Sequence, residues 1–406
     1  MTKLTLSQEC RQTLKLVAFL LILIVVGGCA VGSPLRTKEQ RTTGLYVAGT
    51  NLYKKGKYIQ AIYLLNQAIE FNPNFAEAYF ALGLVYIKTE DFNKAIELLT
   101  KSSGLKTTLE EPGYTQADIQ FNFGLAYIGL EQYDKATEYL KKAVEYHPGY
   151  AKAYYNLAYI AEKRGNKEAA HKYLNEAIET DPEQPKPYLA LGVLYKKEGK
   201  WAEAQKEFEK ALKLDKDNKA AYNELGKLFK DKGNFDTAAR YFRRAIQIDD
   251  RYIDAYENLA SLYVDMKAYQ KAKEAFAKVT QIDSTLPESY FNLAQVDYLL
   301  ADTTGALQNF EKVLRFEPNH QMVNFRIGQI LEQQGHLEEA IAAYRKELTV
   351  NPKHIASQFN LAVLLHRLGR IKEAMVEYQK YVEMAPKGDD RAKKVQVVLD
   401  KLAKVK

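Results

Sequence analysis

The chain of 406 residues carries 58 Lys and Arg against 51 Asp and Glu, a net charge of +7, with 47% hydrophobic and 27% charged residues. That balance excludes disordered, collagen-like and polytopic membrane classes. Lys3, Arg11 and Lys15 against Glu9 place +2 of the charge within the first 28 residues, so the rest holds only +5, dispersed among acids. So small an excess gives no reason to expect nucleic acid as a partner.

From the N-terminus, a polar stretch with three cations leads into the unbroken apolar run Leu16 to Val26, followed by Gly27, Gly28 and Cys29. This is the layout of an export signal, its apolar part shorter than the roughly 20 residues of a membrane span. Val26-Gly27-Gly28-Cys29 resembles a bacterial lipobox. The resemblance implies removal of residues 1–28, a diacylglyceryl group on the Cys29 sulfur and firm seating on a bilayer. Ala30 is not the Asp of inner-membrane retention, which implies the periplasmic face of the outer membrane. An uncleaved anchor from Leu16 to Leu35 is the alternative. Cys10 is the other cysteine, so no disulfide framework holds the folded body.

After a leash at 29–41, a period of 34 residues takes over. Ten frames run 42–75, 76–109, 117–150, 151–184, 185–218, 219–252, 253–286, 287–320, 321–354 and 355–388. The twentieth position is always alanine, from Ala61 and Ala95 to Ala340 and Ala374. The eighth is always Gly or Ala, and the twenty-fourth is always bulky: Leu65 and Leu99 early, Phe208 to Phe310 in the middle, Tyr344 and Tyr378 late. Apolar residues recur at helical spacing inside each frame, a Gly or polar turn sits near position fifteen, and Pro often closes the unit. Each frame therefore reads as a helix hairpin whose small residues let the two helices approach.

The pattern resembles the tetratricopeptide repeat, which implies an all-α, right-handed superhelical solenoid of helix-turn-helix units. Ordering one 34-residue unit costs roughly 50 kcal/mol at about 1.5 kcal/mol per residue, more than a lone hairpin recovers by burial, so the units must stack. Residues 389–406, with Ala392, Val395, Leu399 and Leu402 at three- and four-residue steps, read as a C-terminal capping helix. Glu110 to Gln116 are extra and contain the turn pair Pro112-Gly113. The fourth and eighth repeats lack the usual large pair at positions eleven and seventeen, holding Ala161 with Lys167 and Asp297 with Thr303. They are expected to be the softest units.

No catalytic constellation or phosphate loop occurs, and every segment is used by repeats, so neither an enzyme, a cofactor nor a small-molecule substrate is expected. His320 and His354 share a frame position but have no companions at metal-ligand spacing, so no metal is expected.

The resemblance implies that the first helix of each hairpin lines the concave face, with positions 2, 5, 6, 9, 12 and 13 in the groove. Position six is Asn122, Asn156, Asn258, Asn292 and Asn360 in half of the repeats, and an amide can both donate to and accept from an extended backbone. Phe80, Leu84, Phe121, Leu125, Tyr155 and Phe291 form an apolar stripe, interrupted at Asn223, Glu224, Lys227, Glu257 and Asp265. The alternative is that superhelical curvature packs some of these rings onto the next repeat. A chaperone-type carboxylate clamp, needing a basic residue at position five and Asn at nine, is absent from every frame.

Together these features look like the repeat lipoproteins that assist the outer-membrane secretin of type IV pili. The function expected is a membrane-anchored scaffold that grips a protein partner near the bilayer. An adaptor for envelope enzymes or polysaccharide export is the alternative, and a repeat-containing transferase a distant one.

Overall fold

The structure, a computed structural model, describes residues 37–386 and 388–403. Cys10, Cys29 and the apolar run lie outside the described residues. Within them there are 21 helices and no strand, so the chain is all-α as the sequence predicts. No helix among the described residues is long and apolar enough to cross a membrane.

The helices fall into two compact units, one ending at Gly199 and one beginning at Lys200. In the first, α1 (Lys38–Lys54) pairs with α2 (Tyr58–Phe71), α3 (Ala76–Lys88) with α4 (Phe92–Gly104), α5 (Gln116–Gly129) with α6 (Tyr133–Tyr146) and α7 (Ala151–Lys163) with α8 (Lys167–Thr180), before α9 (Pro185–Lys197). The second starts with α10 (Trp201–Leu214). It then pairs α11 (Lys219–Asp231) with α12 (Phe235–Ile248), α13 (Ile253–Asp265) with α14 (Tyr269–Ile282), and α15 (Pro287–Leu299) with α16 (Thr303–Phe316). It continues with α17 (Val323–Gln333) against α18 (Leu337–Val350) and α19 (Ile355–Arg367) against α20 (Ile371–Met384), and ends in α21 (Asp390–Leu402), which packs on α20.

The repeating signature has a direct packing cause. A β-carbon on Gly226 would lie 2.5 Å from the Phe242 ring and one on Gly328 2.6 Å from Tyr344, so position eight must be small where position twenty-four is large. Position twenty fits the same contact, with Ala61, Ala238 and Ala374 fully buried. At position fifteen the chain turns through left-handed backbone whatever residue stands there: Gly233 has φ 75°, and Glu90, Glu131, Lys267 and Ala301 have φ 62°, 57°, 58° and 60°. An L side chain there is strained by about 1–2 kcal/mol. Ala301→Gly should therefore raise stability by about 0.5–1 kcal/mol after glycine's extra unfolded-state freedom is subtracted, read as a later urea midpoint.

Three departures from the sequence reading are local. α1 begins at Lys38 because Thr37 and Gln40 form a reciprocal capping box, so residues 38–41, read as leash, are helical. α17 begins only at Val323, since Glu347 occupies the twenty-seventh position, where other repeats hold Ala, Ser, Val or Tyr. Its buried carboxylate accepts the N–H of Met322 at 2.9 Å and of Phe325 at 3.4 Å, and Met322 takes φ 79°. A carboxylate suits a helix N-terminus, but here it takes the place of the first turn.

The third departure is in repeat eight. The missing contact there is replaced by a polar core, in which Asp297, 1% exposed, lies 2.7 Å from Lys273 Nζ and accepts from Asn309 Nδ2 at 2.8 Å. Lys273 also meets Asp302, the cap of α16, at 2.8 Å. Repeat four has no such compensation in its exposed Lys167.

The end of the second frame and the insertion after it fold over the start of α3. Thr108 and Leu109 donate their backbone N–H groups to Glu77 Oε1 at 2.6 and 2.8 Å, and Glu77 is fully buried. Tyr114 stacks on Phe80 at 4.1 Å, and α4 packs against α5, so the stack runs on across the extra residues.

Candidate interaction surface

The aromatic residues at position five are drawn into packing by a recurrent contact. Four of the rings meet the turn that precedes the next repeat: Tyr46 meets Phe75 at 5.3 Å, Phe121 meets Tyr150 at 5.1 Å, Phe291 meets His320 at 4.9 Å and Phe325 meets His354 at 4.8 Å. Phe80 and Phe121 are buried, at 7% and 9% exposure, which removes them from the open surface expected of them. Leu84 and Leu125 are half-buried in the same two clusters, and Tyr155 and Phe291 are half-buried against two others. The expected apolar stripe of the early repeats is therefore largely closed by inter-repeat packing. Tyr159 stays open, with Lys163 Nζ 5.5 Å from its ring.

The amides divide between the units. In the first, Asn122 donates to the Asp118 carbonyl at 2.7 Å and Asn156 to the Lys152 carbonyl at 2.8 Å, spending a donor on their own helices. In the second, Asn258 Nδ2 donates to Asn223 Oδ1 at 3.1 Å, which ties α13 to α11. Asn223 Nδ2, Asn258 Oδ1 and both ends of the Asn292 amide make no hydrogen bond among the described residues. Asn360 donates to Tyr344 Oη at 3.4 Å, and that hydroxyl donates to Glu332 at 2.9 Å. Asn223, which the sequence offered only as an interruption of the stripe, is 4% exposed and supports the row from beneath as the acceptor for Asn258. Its signal was position five losing its ring in the same repeats that gain polar residues.

Charged side chains flank this row. Lys227 pairs with Glu224 at 2.6 Å, and Lys230 with Asp265 at 2.9 Å and Ser261 at 2.8 Å. Burial, with Asp254 and Glu288 nearby, pushes the Glu257 carboxyl above its ordinary range. The surface is polar and hydrogen-bonding, suited to gripping a backbone and its polar side chains.

The turn histidines are packing and capping groups. His354 caps α19 with Nδ1 accepting from the Ser357 N–H at 3.3 Å, and burial holds its pKa below the ordinary 6.5. The unfolded chain then takes up the proton first as pH falls, so this contribution is complete above 6.5 and is lost as pH drops below it. The urea midpoint should fall between about pH 7.5 and about pH 5.5, and His354→Asn should flatten that slope. Asn218 already caps α11 at the same frame position, accepting the Ala221 N–H at 3.0 Å. Among the described residues no three His, Cys, Asp or Glu side chains gather as a metal site.

Comparison with known proteins agrees with this architecture. A family model described as the C-terminal domain of cilia- and flagella-associated protein 70 matches residues 105–288. Tetratricopeptide-repeat models match residues 49–89, 76–108, 291–353 and 325–389. No curated protein sequence matches the chain. Among solved structures it is similar to PilW, titled a widely conserved type IV pilus biogenesis factor, at 18% identity over 53% of this chain and 100% of that one, with TM-score 0.48. It is also similar to PilF of Pseudomonas aeruginosa, at 23% identity over 50% and 92% with TM-score 0.44, and to yeast Tom70, at 17% over 90% and 96% with TM-score 0.40. Likeness at these identities concerns the fold alone. The repeat models match segments of both units, and the same small–large register recurs through the helix pairs, so the chain belongs to the tetratricopeptide-repeat proteins.

Proposed function

We propose that the chain is a membrane-tethered scaffold that works by binding a protein segment along the first helices of its repeats and performs no chemistry of its own. The observation that carries this reading is the pair Asn258 and Asn292, half-buried on first helices, where Asn258 Oδ1 and both ends of the Asn292 amide make no hydrogen bond among the described residues and match an extended backbone. The tether is Cys29. With α1 capped at Thr37, eight residue steps separate the two, a reach of at most about 29 Å, so the partner lies near the bilayer. Assembly of a type IV pilus secretin at the outer membrane is the specific setting proposed, supported by the lipobox and the repeats in one chain.

Two measurements test the tether and the setting. Radiolabelled palmitate should enter the wild-type protein and not Cys29→Ser, which should leave the membrane fraction; an unlabelled wild type contradicts the tether. Deleting the gene should remove secretin multimers, and normal multimers contradict the pilus setting.

A further inference from the structure

We propose that Arg326, on α17, anchors a carboxylate side chain of an acidic partner segment, an assignment that rests on the binding surface proposed above. Arg326 holds position six of the ninth repeat, between repeats whose position six is Asn292 and Asn360. In a row of neutral amides it is the cation.

Its surroundings leave that charge unmatched. Nη1 donates to Gln329 Oε1 at 2.9 Å, Nε is buried without a partner, and no ion pair joins the guanidinium to a carboxylate of the described residues. Other arginines in the ninth and tenth repeats differ: Arg345 meets Glu373 at 2.7 Å, Arg370 meets Glu338 at 2.9 Å and Arg367 meets Glu332 at 3.6 Å. The nearest carboxylate along the chain, Glu332, and the buried Glu347 are committed elsewhere. Glu347 is spent on the backbone N–H groups of Met322 and Phe325, and Glu332 on Tyr344 and Arg367.

The guanidinium is also held in place. Its Cζ lies 5.7 Å from the centre of the Phe325 ring, and Gln329 fixes one edge, leaving Nη2 free to donate. A partly desolvated guanidinium of fixed orientation is a strong donor to a planar carboxylate. Asn292 and Asn360 on either side would meet the backbone flanking that acid, so the occupant is an acidic peptide segment.

The test uses short fluorescein-labelled peptides of alternating Leu and Ser with a central Asp-Glu pair, or with Asn-Gln in its place, titrated against the full chain by anisotropy. The acidic peptide should bind about 10-fold more tightly, since a charge-assisted hydrogen bond contributes more than a neutral one. Arg326→Gln should erase that preference without weakening the amide peptide, Arg326→Lys should keep part of it, and high salt should reduce it. An unchanged helical signal and urea midpoint in Arg326→Gln exclude unfolding as the cause. A preference that survives Arg326→Gln, or no preference, overturns the assignment and leaves the binding surface standing. Failure of both peptides to bind overturns both.

Discussion

Phe242→Ala is expected to destabilise the second unit by about 3–5 kcal/mol, the cost of truncating a fully enclosed phenylalanine. The ring is 0% exposed and sits at the contact between α11 and α12, packed with Ala238, Leu259 and Ala260. Its partner position is glycine, so no neighbouring side chain at Gly226 can fill the void. Repeat stacks couple each unit to its neighbours, so the loss should spread to α13 and α14 as faster amide exchange. Val397→Ala on α21, where the side chain is 53% exposed, is the control and should change the urea midpoint little.

The largest functional effect is expected from removing the amide row. Asn258→Ala and Asn292→Ala, with Asn223→Ala so that the buried Oδ1 facing Asn258 is not orphaned, should weaken partner capture by roughly 30-fold, from about 1 kcal/mol for each hydrogen bond that Asn258 and Asn292 lose to the partner. Folding should tolerate the change, because Asn223 and Asn258 satisfy one another and their joint removal leaves neither orphaned. A pull-down with the triple variant measures the first effect and its urea midpoint the second. Phe121→Glu would be a poor probe of the same surface. Phe121 is 9% exposed and packed on Tyr150, so a carboxylate there would disrupt the junction between repeats before any binding was measured.

Much of the fold was legible because one contact writes the same three residues into every repeat. Small residues at positions eight and twenty and a bulky one at twenty-four are two sides of one helix–helix approach, and periodicity exposes them without an alignment. The late start of α17 was not legible, since Glu347 reads in sequence as one more surface acid until its carboxylate is found capping Met322 and Phe325. Nor was the polar core around Asp297, whose partners Lys273 and Asn309 come from two other helices.

The proposed binding surface was legible only in part. Position six was singled out as the amide position, but Asn122, Asn156, Asn258 and Asn360 each spend a donor within the chain, and Asn292 makes no hydrogen bond among the described residues. The apolar stripe misled because exposure depends on the residue ending the turn into the next repeat. A ring at position five is covered when Tyr150, His320 or His354 stands at position thirty-four of the same frame, a contact across 29 residues that helical periodicity does not reveal.

The most direct test of the account places a photo-crosslinking amino acid in the intact protein inside living cells, at Gln295 on α15 or at Arg240 on α12. Gln295 is half-buried on a first helix and Arg240 is exposed on a second helix. Capture of one discrete protein from position 295 and none from position 240 is the expected result. Capture from position 240 alone would contradict the claim that the first helices of the second unit are the working surface.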